Sequence, residues 1–132
     1  MATVTWSALS SPSSDLGSAI NSKSNGSTTL IENINNSTGK ALYLEIQLQL
    51  ATVTFTGAPS LTFALRRLFT GHAANAIDTF VVALTQGQTD YHATMRLPNA
   101  ATYGLFWTNN SGTTTAASGN GLWYRTWGED VS

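Results

Sequence analysis

From Thr28 onward, apolar side chains recur at every second position in short runs, and no long run follows a helical period. The clearest run spans residues 41–56. Leu42, Leu44, Ile46, Leu48 and Leu50 share one face, while Tyr43, Glu45, Gln47 and Gln49 share the other. Successive side chains of a strand point to opposite faces, so this alternation predicts a long strand with one side on a core. The apolar set then changes phase to Val53 and Phe55, which predicts a bulge or bend near Ala51, where the strand turns a sandwich corner.

The other runs follow the same rule. Residues 28–33 read as a strand, and Asn35-Asn36-Ser37-Thr38-Gly39 as the turn after it, with the glycine left-handed. Beyond Gly57-Ala58-Pro59, residues 60–69 put Leu61, Phe63 and Leu65 on one side; residues 70–78, rich in Gly, His and Asn, read as a loop. Residues 79–85 direct Phe80, Val82 and Leu84 inward, and residues 90–97 align Tyr91, Ala93, Met95 and Leu97. Residues 102–108 and 121–127 complete the set; the last carries Trp123, Tyr124 and Trp127, which must be docked in a sheet to be tolerated in water. Short strands at regular spacing predict an all-β protein, an antiparallel eight-stranded jelly-roll β-sandwich with an N-terminal arm. A Greek-key sandwich of immunoglobulin type fits the periodicity too, but the Cys-Trp-Cys framework that would favour it is absent.

The arm is read from residues 1–29, with the sandwich over 30–132. Residues 2–6 alternate like a short edge strand. Residues 7–29 are Ser-, Asn- and Gly-rich around Leu16, Ala19 and Ile20, with one helical turn expected over 14–21. So few apolar side chains do not offset the entropy of ordering the segment. Two readings follow: an exposed loop, or an arm whose strand at Thr3, Val4 and Trp6 is exchanged with a neighbouring copy.

Composition narrows the function. At 132 residues and 42% hydrophobic, the chain suits one domain, and with no cysteine its stability rests on packing. Only 10% of residues are charged, against roughly 25% in an average globular protein. A surface of Ser, Thr, Asn and Gln loses little hydration when covered by another protein, which suits an assembly component. The six Lys and Arg are scattered, so nucleic acid is not an expected partner. The first residues carry neither a basic stretch nor an apolar one, and no apolar run approaches the roughly 18 residues of a membrane helix, so neither a secretory signal nor a membrane partner is expected.

Catalytic chemistry is not legible. His72 and His92 lack a carboxylate cluster that would make a metal site, and Asp90 and His92 share a strand face without a nucleophile elbow. The carboxylates, Glu45 among them, look isolated, and no phosphate-cradling glycine loop occurs. The expectation is a protein that is not an enzyme and needs no metal or cofactor. The Asn-x-Ser/Thr matches at Asn25, Asn35, Asn36 and Asn109 are assigned to turns. Trp107, Trp123, Tyr124 and Trp127 are assigned to core or interface packing, with a sugar-stacking platform as the alternative. Arg66, Arg67 and Arg125 are expected at a solvated strand edge, or in contact with carboxylates such as Glu129 or Asp130 of a neighbouring copy. The candidate interface is Thr3, Val4, Trp6, Arg66, Arg67, Trp123, Arg125, Trp127 and Glu129.

Three stretches carry a resemblance. These are the turn at residues 35–39 leading into the long strand, the Leu97-Pro98 break before a strand ending near Asn109-Asn110-Ser111-Gly112, and the terminal block Ala116-Ala117-Ser118-Gly119-Asn120, Leu122, Tyr124-Arg125 and Glu129-Asp130-Val131. In them the chain resembles the jelly-roll virion proteins of tailed bacteriophages, of the capsid decoration or cement type. The resemblance implies a structural protein made in the bacterial cytoplasm that binds the major capsid protein on the outer surface of the head. It also implies self-association, a homotrimer before a dimer, that ties capsomers together. Similar jelly rolls in tails, head fibres and spikes make a receptor- or glycan-binding module the alternative.

Overall fold

A computed structural model describes residues 4–8, 11–69, 72–98 and 100–131, with side-chain detail for all of these except 4–8, 68–69, 72–77 and 129–131. Eight strands occur among the described residues: β1 (Val4–Ala8), β2 (Thr28–Asn36), β3 (Ala41–Gln49), β4 (Ser60–Phe69), β5 (His72–Ala83), β6 (Asp90–Arg96), β7 (Ala101–Asn110) and β8 (Gly121–Val131). They form two four-stranded sheets, ordered β1-β8-β3-β6 and β2-β7-β4-β5. Every pairing is antiparallel. The chain is therefore a two-sheet, all-β sandwich. Leu44, Ile46 and Leu48 of β3, Leu61, Phe63 and Leu65 of β4, and Tyr103, Leu105 and Trp107 of β7 belong to one buried core. No described helix is long and apolar enough to cross a membrane.

Several strand limits differ from expectation; β2 runs on to Asn36 and β8 to Val131, and β3 and β5 depart most. β3 stops at Gln49 instead of continuing to residue 56, because the ladder is replaced by single partners distant in sequence: Leu50 N–H donates to the Thr89 carbonyl and Ala51 N–H to Asn120 Oδ1. Val53 and Phe55 are then held by Gln86, whose amide donates to the Val53 carbonyl while its oxygen accepts from Phe55 N–H. In the other direction, β5 begins at His72 inside the stretch expected as a loop. Its ladder partner β4 decides this, with register shifts at Leu65/Arg66 and Arg66/Leu68 absorbing the lost alternation.

The N-terminal segment is not a free arm. β1 pairs with β8 of its own chain, Val4 opposite Val131 and Trp6 opposite Glu129. Thr3 lies outside the described residues. Ser13 and Leu16 donate their N–H groups to the carbonyls of Tyr124 and Leu122, and Asp15 Oδ1 accepts from both Gly17 and Leu122. A short 3-10 turn, Gly17–Ile20, then buries Ile20 completely. Gly17 permits this docking, since a Cβ there would collide with the Asn120 carbonyl. The ordering entropy is offset by one apolar plug and many backbone hydrogen bonds, which hydrophobicity alone does not reveal.

Asparagines lock the connections. Asn36 closes the β2–β3 turn, its amide donating to the Ala41 carbonyl and its oxygen accepting from Ala41 N–H, while Gly39 takes a φ of 70°. Asn120 joins three segments through Ala51, Asn21 and Ala116. Asn109 is fully buried; its amide donates to the Lys23 and Thr113 carbonyls and its oxygen accepts from Ser111 N–H. These buried asparagine side chains are tolerated because they are paired.

Candidate functional site

The outward face of the β1-β8-β3-β6 sheet brings together side chains far apart in sequence. Register sets Tyr43 beside Trp127 and Arg96, Glu45 beside Arg125 and Thr94, and Gln47 beside Trp123 and His92. Glu45 is the centre. Its Oε1 lies 3.2 Å from Arg125 Nη2 and 3.3 Å from His92 Nε2, while Oε2 accepts from the Trp127 indole N–H. The Arg125 guanidinium also stacks on the Trp127 ring, 4.6 Å from its centroid. Partial desolvation alone would raise the Glu45 carboxyl. Hydrogen bonds from His92, Arg125 and Trp127, with the positive charge of Arg125, outweigh it and hold the group below its ordinary value.

That shift has a testable sign. A carboxyl whose pKa is lower folded than unfolded contributes stability above its unfolded pKa, and loses it as pH falls through the folded value. Glu45→Gln should therefore lower the melting temperature at neutral pH, with the difference from the parent shrinking toward zero below the ordinary glutamate value of 4.5. Thermal melts of both proteins from neutral to acid pH check this; a difference that persists undiminished in acid would contradict it.

Beside Glu45 the face dips into an open depression of about 290 Å³, lined by Pro12, Glu45, Gln47, Trp123, Tyr124 and Arg125. The Trp123 ring reaches back over Gly121, occupying the space a Cβ there would take, so it lies along the strand. Burial pushes the Tyr124 phenol up, and the charge of Glu32 adds to this, so it stays neutral at physiological pH.

The outward face of the β2-β7-β4-β5 sheet is built differently. Two cross-strand rows run across it: Thr28, Thr108, Thr62 and Val81, then Leu30, Phe106, Ala64 and Thr79. None of these eight is charged, and Leu30 (45%) and Val81 (62%) are the exposed large hydrophobics among the described residues. Arg66 leans over this face, 4.3 Å above the Phe106 ring.

The expected interface residues separate accordingly. Trp123, Arg125 and Trp127 gather on one sheet, and Arg125 pairs with Glu45 of its own chain instead of needing a neighbour's Glu129 or Asp130. Arg66 belongs to the opposite sheet, and Arg67 stands opposite Tyr103 in β7. Val4, Trp6 and Glu129 are placed by their backbones in the β1–β8 ladder, their side chains outside the description. Trp107 is fully buried, so it stacks on no ligand. Glu45 is not isolated, and Leu30, Val81 and Phe106 went unremarked in the sequence. The parity that sends Phe80 and Val82 inward also sends Val81 out; at Leu30 that parity is obscured by the register shift between Leu30 and Glu32. Among the described residues, no group of three or more His, Cys, Asp or Glu is placed to hold a metal ion.

No protein-family model matches the chain, and no curated protein does. Solved structures give distant likenesses. A protein of the Bacillus endospore appendages, which form disulfide-linked pili, is 16% identical, with 98% of this chain and 88% of that one covered and a TM-score of 0.43. PirA is 15% identical, covering 96% and 92%, with a TM-score of 0.44. The CBM22-1 xylan-binding domain of Paenibacillus barcinonensis Xyn10C is 11% identical, covering 98% and 81%, with a TM-score of 0.45. Similarity this remote leaves the chemistry of this chain to its own residues.

Proposed function

We propose that the chain is a structural protein of a tailed-phage virion, a jelly roll that decorates the outside of the head and ties neighbouring capsomers together without catalysis or cofactor. The jelly-roll assignment is supported by the path of the chain: every connection passes between the two sheets except β4 to β5, which pair as neighbours. The phage assignment rests on the resemblance at residues 35–39, 97–112 and 116–131. Two of its asparagines, Asn36 and Asn120, hold backbone here, Asn36 across the β2–β3 turn and Asn120 between Ala51 and Ala116.

The observation that carries an assembly role is the uncharged Thr, Leu, Val, Ala and Phe face of β2-β7-β4-β5. Apart from the Arg66 guanidinium, which already lies over the Phe106 ring, covering it strips no ion of water, and it gains apolar contact at Leu30 and Val81. Strand spacing near 4.8 Å and a rise near 3.3 Å per residue give these eight outward positions on the order of 250 Å². A stable partner usually buries about 800 Å² on each side, so one face alone binds weakly. Linking several copies in a homotrimer converts weak faces into tight attachment, which is how a cement protein gains hold on a repeating shell. The face meets the major capsid protein. Light scattering of the purified chain should report a trimer, and quantitative mass spectrometry of virions should count hundreds of copies per particle. A handful of copies would favour a tail, fibre or spike module instead.

A further inference from the structure

We infer that the depression beside Glu45 is a binding subsite for a neutral pyranose sugar, on the sheet opposite the proposed capsid-facing surface and independent of the virion role. Sugar recognition needs a flat apolar ring for the C–H face of a pyranose and fixed polar groups for its hydroxyls. Trp123 supplies the ring. Gly121 lets the indole lie along the strand, and Trp123 lines the depression with Gln47, Glu45 and Arg125.

The polar groups are fixed before any ligand arrives. Glu45 is held by His92, Arg125 and Trp127, and Arg125 is held between Glu45 and the Trp127 ring. A hydroxyl entering here meets a carboxylate acceptor and guanidinium donors without reordering either long side chain, which lowers the entropic cost of binding, and the exposed Gln47 amide adds a further donor and acceptor. The same geometry decides the charge of the ligand. Arg125 is already paired with Glu45, so the floor offers no spare cation for a sugar carboxylate, and Glu45 would repel one. The volume, about 290 Å³, is at the low end of small-molecule sites, which suits one or two rings rather than a long chain.

Titrating ¹⁵N-labelled protein with maltose, cellobiose and lactose tests this, with glucuronic acid and N-acetylneuraminic acid as acidic counterparts. At least one neutral sugar should move the Trp123 indole and Gln47 amide resonances saturably, leave the buried Trp107 indole in place, and bind more tightly than the acidic sugars. Trp123→Ala should weaken that binding about tenfold, as the loss of one stacked ring does. Gln47→Ala, at an exposed position, should weaken it with the fold intact, whereas Val81→Glu on the other sheet should change nothing. Absence of a saturable shift with all three neutral sugars, preference for an acidic sugar, or unchanged binding by either site variant would overturn the assignment.

Discussion

Replacing Asn109 with alanine should destabilise the protein by about 3–5 kcal/mol, a large part of the roughly 5–15 kcal/mol by which a domain of this size is stable. The side chain is fully buried at the end of β7. Its removal leaves the Lys23 and Thr113 carbonyls without their amide donor and Ser111 N–H without its acceptor. Each buried group stripped of its partner costs about 1–3 kcal/mol, with a small cavity added. Asn109→Asp should be comparably harmful, since it exchanges the amide donor for a carboxylate oxygen aimed at two carbonyls. Asn35→Ala, which loses one exposed local hydrogen bond from Ser37 N–H, and Asn25→Ala, which loses one exposed hydrogen bond from Gly112 N–H, should each cost under about 1 kcal/mol. Urea unfolding of the four variants measures the contrast; near-equal losses would show that Asn109 does not hold the 22–27 and 111–115 segments.

The second large effect concerns assembly, not folding. Leu30→Lys with Val81→Glu should leave the unfolding midpoint nearly unchanged, because both side chains are exposed and substitutions at such places usually fall within about 0.5 kcal/mol. Attachment to heads should fall by about a hundredfold or more. A charge forced into a desolvated contact costs several kcal/mol, and in a multivalent attachment the loss recurs at each linked copy. Co-sedimentation of purified variants with undecorated heads, read by gel densitometry, measures it. Wild-type occupancy by the double variant would remove the β2-β7-β4-β5 face from the account.

These results bear on what alternation encodes. The inward set Leu44, Ile46 and Leu48 was legible because burial on one face of a strand imposes a period of two, and Phe80, Val82, Tyr91 and Met95 obey the same rule. The limits of β3 and β5 were not legible, because they depend on partners distant in sequence: Asn120 ends one strand, and β4 extends the other. Docking of residues 11–27 was hidden for a related reason. Its anchors are Ile20, the absent Cβ of Gly17 and backbone hydrogen bonds, none of which raises local hydrophobicity. The Glu45 cluster needed register, since Arg125, Trp127 and His92 come from two other strands. The outward position of Val81 was already implied by its neighbours; only its union with Leu30 and Phe106 across three strands required the fold.

The most direct measurement is cryo-electron microscopy of heads assembled without this chain, before and after the purified protein is added. The account predicts ordered density at repeating positions on the outer surface, with the Leu30 and Val81 face turned toward the major capsid protein. Bare shells under saturating protein, or density seated through the Trp123 sheet instead, would contradict it.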